Sequence, residues 1–207
     1  MARPAGARNH DFEEKRFELL TTLTDYGLNA ALTRPSLRQF AIAAGQSEPT
    51  LRHYFGDRQH LVIEIVEEIA RRASAVWSEV AKLAAGPVPA VREYLAFAEK
   101  GMMNGAFTRA HAFGLIEGFA DPVVGRVYLD AMFQPSLEAF SEKLQATPGT
   151  PTDPSELHAA TLLATAPIIL IGLLQIVLGD GELPIDVGAT FEHLQDLLSR
   201  AFSETAN

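Results

Sequence analysis

The residues of this chain whose chemistry calls for explanation lie close together. They are Gln46, Ser47, Pro49, Thr50, Arg52, His53 and Tyr54, with Ser36 ahead of them and Arg58 behind. An amide, hydroxyls, a guanidinium, an imidazole and a phenol on one short stretch are the donors and acceptors that reach base edges and phosphate oxygens. They do not compose a catalytic set, and no other part of the chain does. The six histidines are scattered without an i, i+4 pair, and there is no H-E-x-x-H, no G-x-S-x-G and no Walker A loop. With no cysteine there is neither a disulfide framework nor a thiolate metal site. The sequence therefore reads as a protein that is not an enzyme and needs no cofactor or metal.

What must hold those side chains is a pair of short helices hinged at Gly45. Ser36 and Gln39 form a capping box at the start of the first helix, and Leu37, Phe40, Ala41 and Ala44 make its buried face. Ser47 caps the second, whose first turn accommodates Pro49 because those amides have no intrahelical partner. Leu51 and Phe55 at i, i+4 face inward, which leaves the polar and aromatic set to the exposed side and its margins. This is the layout of a helix-turn-helix, whose second helix enters a DNA major groove.

The rest of the chain reads as helical throughout. A first helix from Asp11 to Tyr26 is expected to end at Gly27. Residues 2–10 ahead of it are a polar arm with Arg3 and Arg8, either a disordered terminus or a reach toward DNA. Beyond Gly56-Asp57 the periodicity predicts helices from Arg58 to about Leu83, Ala90 to Met103, Phe107 to Phe119, Asp121 to Gln145, Asp153 to Leu178 and Asp186 to Phe202. The fold class is all-α, with about nine helices: a three-helix head over residues 1–57 and a larger ligand-binding and dimerisation body over 58–207.

Charge follows the same division. The net charge is −9, yet residues 1–58 carry eight Lys/Arg against seven Asp/Glu, and the remainder nine against nineteen. An acidic body with a near-neutral head suits a protein that offers one end to a polyanion. Leu162 to Leu178 is uncharged for seventeen residues, close to the minimum for a membrane span. It contains Pro167, Gly172 and Gln175 and is flanked by acids rather than basic anchors, so the expectation is no membrane but a buried helix. Paired with the last helix, two copies would form a four-helix bundle, giving a homodimer through the helices near 155–178 and 186–203. The polar N-terminus, without an apolar segment, points to a cytoplasmic location. Trp77, Phe97, Met102, Phe107, Tyr128 and Met132 belong to an aromatic and Met-rich set over several helices, read as ordinary core or as the lining of a small-molecule pocket. His111 and Glu117 are expected at the surface or, as the alternative, as polar groups in such a pocket.

The run Ala44-Gly45-Gln46-Ser47-Glu48-Pro49-Thr50-Leu51-Arg52-His53-Tyr54-Phe55-Gly56-Asp57-Arg58-Gln59-His60-Leu61 resembles the DNA-binding head of TetR/AcrR-type transcriptional regulators. Ala44, Gly45, Ser47, Thr50, Leu51, His53, Tyr54, Phe55, Arg58 and Leu61 match, and the resemblance by motif covers about residues 11–65. It implies a homodimer on a palindromic operator of double-stranded DNA, usually repressing and released by a small apolar or amphipathic ligand in the body. By position, it places Thr50, His53 and Tyr54 on bases or phosphates and Ser36 and Arg58 on phosphates. Glu48, Pro49 and Arg52 depart from the pattern. Arg52 either pairs bidentately with guanine or pairs internally with Glu48 at i, i+4. The competing expectation is a helical ligand-binding or scaffold protein whose head no longer binds DNA specifically.

Overall fold

The computed structural model describes residues 5–82, 96, 99, 105–145, 149–179 and 186–204, with the side chains of 10–74, 96, 99, 105–145, 149–179, 186–198 and 200. Helices α1 (Ala5–Asn29), α2 (Leu37–Ala43), α3 (Glu48–Phe55) and α4 (Arg58–Lys82) come first. After them come α5 (Ala106–Ala120), α6 (Pro122–Tyr128), α7 (Gln134–Gln145), α8 (Pro154–Leu178) and α9 (Val187–Glu204). Among the described residues there is no strand, so the all-α class holds. Of the helix expected from Ala90 to Met103 only Ala96 and Glu99 are among the described residues, and both are helical.

Two sequence expectations need correction here. Helix α1 begins at Ala5, where a polar arm was expected, and it runs through Gly27 to Asn29. Gly27 is a packing position and not a terminator: a Cβ there would stand 3.1 Å from the Phe113 ring. A glycine inside a helix is tolerated where another element must come this close. The run from Pro122 to Gln145 is helical as expected, but five residues, Leu129–Phe133, form a π-helical turn between α6 and α7. Such turns have no signature in local propensity.

The chain divides into two compact units, Met1–Arg71 with Ala112–Ala131, and Arg72–His111 with Met132–Asn207. In the first unit α2 packs on α1 and α3, and Leu19, Leu23, Phe40, Leu51, Phe55, Leu61 and Ile65 are buried. Tyr26 meets Phe40 edge-on, with centroids 5.6 Å apart. The C-terminal half of α5 crosses α6 at glycines. A Cβ on Gly118 would lie 2.8 Å from Cα of Gly125, and one on Gly114 would strike the Tyr128 ring.

In the second unit α8 packs on α7 and α9. Phe140, Leu144, Leu157, Ala164, Ile168, Ile171 and Phe191 form its core, flanked by Phe107, Val187, Leu194 and Leu198. Helix α8 starts as its sequence predicts. Asp153 accepts from the amides of Ser155 and Glu156 at 2.9 and 3.0 Å, and Pro154 is the first helical residue. The helix is long and apolar enough to cross a bilayer, with a mean hydropathy of 2.3 over its most apolar window, of which 33% is buried within the chain.

Candidate nucleic-acid interface

The helix-turn-helix is set by caps and one left-handed glycine. Gln39 accepts from the Ser36 amide at 2.8 Å, and the Ser36 hydroxyl accepts from the Gln39 amide at 3.3 Å, closing the expected capping box. At the other end of α2 the Gly45 amide donates to Ile42 at 3.1 Å and the Gln46 amide to Ala41 at 2.9 Å. With Gly45 at φ 62° this is a Schellman closure, which turns the chain directly into α3. The Ser47 hydroxyl accepts from the Thr50 amide at 3.2 Å and shares a 2.7 Å hydrogen bond with the Thr50 hydroxyl. Pro49 sits in the first turn, where it costs no helical hydrogen bond.

Leu51 and Phe55 are buried and hold α3 to the core. Ser47, Pro49, Arg52 and His53 are exposed, and Gln46, Thr50 and Tyr54 are half-exposed. Ser36 is exposed at the start of α2. These eight residues are therefore available to a partner. Of the two alternatives for Arg52, the chain by itself adopts the internal one: its guanidinium donates to the Glu48 carboxylate at 2.7 Å. Both side chains remain open to solvent, at 55% and 36%, so the pair is weakly held.

The far end of α3 is pinned by side chains that the sequence did not single out. Tyr54 stacks on Phe12 of α1 with centroids 4.8 Å apart, and His53 meets Phe12 edge-on at 5.6 Å. Arg16 lies over the Phe55 ring at 5.2 Å, donates to the Tyr54 carbonyl at 3.3 Å and pairs with Glu64. Burial pushes the Glu64 carboxyl above its ordinary value against the pull of Arg16.

Arg58, expected at a phosphate, is engaged inside the first unit. Its Nε donates to the Pro35 carbonyl at 2.8 Å, and its two terminal nitrogens donate to the two carboxylate oxygens of Glu117 on α5. Arg34 reaches the same carboxylate at 3.3 Å. Glu117 is 1% exposed, and His111 equally so, which corrects the surface role considered for both. Beside this cluster Gln59 donates to Asp121 at 2.7 Å, and that bond chiefly holds the Asp121 carboxyl below its ordinary value. Glu117 had a sequence signal: it is a lone acid in the apolar run Ala112 to Ala120, and an acid so placed needs a partner.

The expected ligand-lining residues are distributed. Phe97, Met102 and the side chain of Trp77 lie outside the described residues. In the second unit His111 meets Phe107 at 4.4 Å and Phe133 at 6.4 Å between centroids, and Met132 is buried. Burial lowers the His111 imidazole to about 4, so it is neutral at physiological pH. Tyr128 belongs to the first unit, where it lines a cleft of about 260 Å³ with Gly114, Gly118, Phe119, Gly125 and Leu129. Among the described residues no group of His, Asp or Glu is placed to hold a metal ion.

A helix-turn-helix whose second helix is capped, anchored by two buried residues and polar on its outer face is the layout that major-groove readers use. A solved structure from Mesorhizobium loti MAFF303099, provisionally described as a TetR-family transcriptional regulator, has the same fold. It superposes with a TM-score of 0.62 over 94% of this chain and 96% of that one, at 15% sequence identity. No protein-family model and no curated protein matches the chain.

Proposed function

We propose that this protein is a ligand-responsive transcriptional regulator that binds a palindromic DNA operator as a homodimer, in most settings as a repressor released by a small apolar or amphipathic molecule. The observation that carries the reading is the outer face of α3. A rigidly capped helix offers Gln46, Ser47, Thr50, Arg52 and His53 outward while Leu51 and Phe55 anchor it. Base-edge readout needs that division of labour. In this reading residues 1–57 read DNA, residues 58–207 bind ligand and dimerise, and the protein works in the cytoplasm, off the membrane and without catalysis or cofactor. The dimer is supported by the apolar side of α8 that stays open in the single chain. The ligand would act by favouring a body geometry in which the two heads no longer match successive major grooves.

The test is selection of duplexes from a random pool by the purified protein, followed by affinity measurement at two salt concentrations. Enrichment of a palindrome that outcompetes scrambled duplex is the expected result. Recovery of no preferred sequence at low or moderate salt would refute the proposal. It would favour the second reading, a helical ligand-binding or scaffold protein, which the Glu48 carboxylate on the reading helix supports by placing negative charge beside DNA.

A further inference from the structure

The Glu117 cluster has no place in base reading, yet it joins the parts of the first unit that border the helix-turn-helix. Arg34 and Pro35 immediately precede the Ser36 cap of α2. Arg58 opens α4, only Gly56 and Asp57 beyond the end of α3. Glu117 thus meets the residues at both the entry and the exit of the reading motif, on a carboxylate 1% exposed. Arg34 holds a left-handed backbone at φ 48°, unusual for a residue with a side chain and next to a proline that excludes helix. One residue after Arg58, Gln59 grips Asp121, which caps α6 through the Val123 amide at 3.0 Å. The mount itself is stiff, because the glycine crossing brings the backbones of α5 and α6 into contact.

We infer that Glu117 is a positioning residue for DNA recognition: with Arg58 and Arg34 it fixes the angle at which α2 and α3 leave the α5–α6 frame. The inference rests on the DNA-binding reading above. A bidentate guanidinium–carboxylate pair resists rotation as well as separation, which a single contact does not. A carboxylate buried to this degree also cannot release its partners without cost, so the arrangement has one favoured geometry. Arg58 then serves the frame and leaves phosphate contact to the exposed residues of α2 and α3. In a dimeric reader the angle of each head sets the distance between half-sites, so Glu117 governs tolerance of operator spacing although it touches no DNA.

The experiment uses the full-length protein and the operator that it selects from random duplexes. Wild type, Glu117→Gln, Glu117→Asp and Arg58→Gln are compared on that operator and on versions with one base pair added or removed between half-sites, with helicity and melting recorded for each. Glu117→Gln is expected to bind the selected operator roughly tenfold more weakly. It should also lose most of the discrimination against altered spacing, with an unchanged salt slope. Arg58→Gln should reproduce that pattern, and a protein carrying both Glu117→Gln and Arg58→Gln, compared in the same way, should be little worse than either single variant. Unchanged affinity and spacing preference in Glu117→Gln overturn the inference. A salt slope reduced by about 0.9 in Arg58→Gln alone also overturns it, by making Arg58 a phosphate contact. Should Glu117→Gln not fold, the same outcomes are read from Glu117→Asp, which keeps the charge and shortens the reach. If wild type selects no operator, the functional proposal fails and takes this inference with it. If wild type selects one and the variants match it, only the inference fails.

Discussion

Arg52 shows how one side chain can serve two settings. In the free chain its partner is Glu48, one helical turn back, in a pair open enough to water to be weak. In a major groove the same guanidinium would meet the O6 and N7 of guanine, a bidentate contact stronger than the pair it leaves. Arg52→Ala should therefore cost about 1–3 kcal/mol on the selected operator and relax preference at one base pair per half-site. Binding measured on single-base variants decides this, because an equal loss on every sequence would make Arg52 a phosphate contact. His111 makes a different prediction, about stability. Its folded value near 4 lies below the ordinary 6.5 because burial disfavours the charged ring. Above pH 6.5 neither the folded nor the unfolded chain protonates it. As pH falls from 6.5 toward 4 only the unfolded chain takes up the proton, so stability declines, by on the order of 3 kcal/mol, and levels off below that window. Melting of His111→Leu should depend less on pH over the same range. An equal slope in both proteins would show that other groups set the acid sensitivity.

At the level of elements, the α5–α6 crossing is a joint of backbone against backbone. A methyl group on Gly118 would meet the backbone of Gly125, which cannot rotate out of the way as a side chain could. Gly118→Ala should destabilise by roughly 1–3 kcal/mol in chemical denaturation, and a wild-type midpoint would mean that the helices slide apart freely. This joint also marks the limit of what the sequence discloses. The Ser36–Gln39 box, the Gly45 turn, the Ser47 cap and the Asp153-Pro154 start are local, each decided by a capping side chain or a left-handed glycine within five residues of its partners. All four were legible. Gly27 was read as a helix end because nothing nearby reveals Phe113, 86 positions along, whose ring requires the missing Cβ. The exposed set on α3 was legible from period alone. The attachment of Arg58 to Glu117 was not, since it joins residues 59 apart through a fold that local pattern does not specify. The same holds for Arg16 and Phe12, whose partners on α3 lie some forty residues away.

At the scale of the whole molecule α8 has one covered side and one open one. Its inner face, Leu157, Thr161, Ala164, Ile168 and Ile171, is buried at i, i+4, i+7, i+11, i+14 spacing. Leu163, Leu170, Leu174 and Val177 repeat at i, i+7, i+11, i+14 and remain 73%, 58%, 38% and 63% exposed in the single chain. That spacing is a heptad seam, and the open leucine on α9, Leu197 at 48%, adds to the uncovered apolar surface. A bilayer would accept such a helix by length, but seven of its residues, Thr161 and Thr165 among them, are already buried against this chain. A helix whose other side is already committed to a packed core is better matched by a second copy, which would bury the seam in a four-helix arrangement. Covering a leucine of this kind contributes roughly 1.5–3 kcal/mol when complete, and in a symmetric interface each residue counts twice. Leu170→Glu would place two carboxylates in that seam. It should convert a dimer to a monomer at micromolar concentration in sedimentation velocity, and weaken operator binding because paired heads bind as a unit only while joined. The chain should stay helical, since residue 170 faces away from its own core. A wild-type protein that sediments as a monomer would remove the dimer, and a variant still dimeric would move the interface to another face.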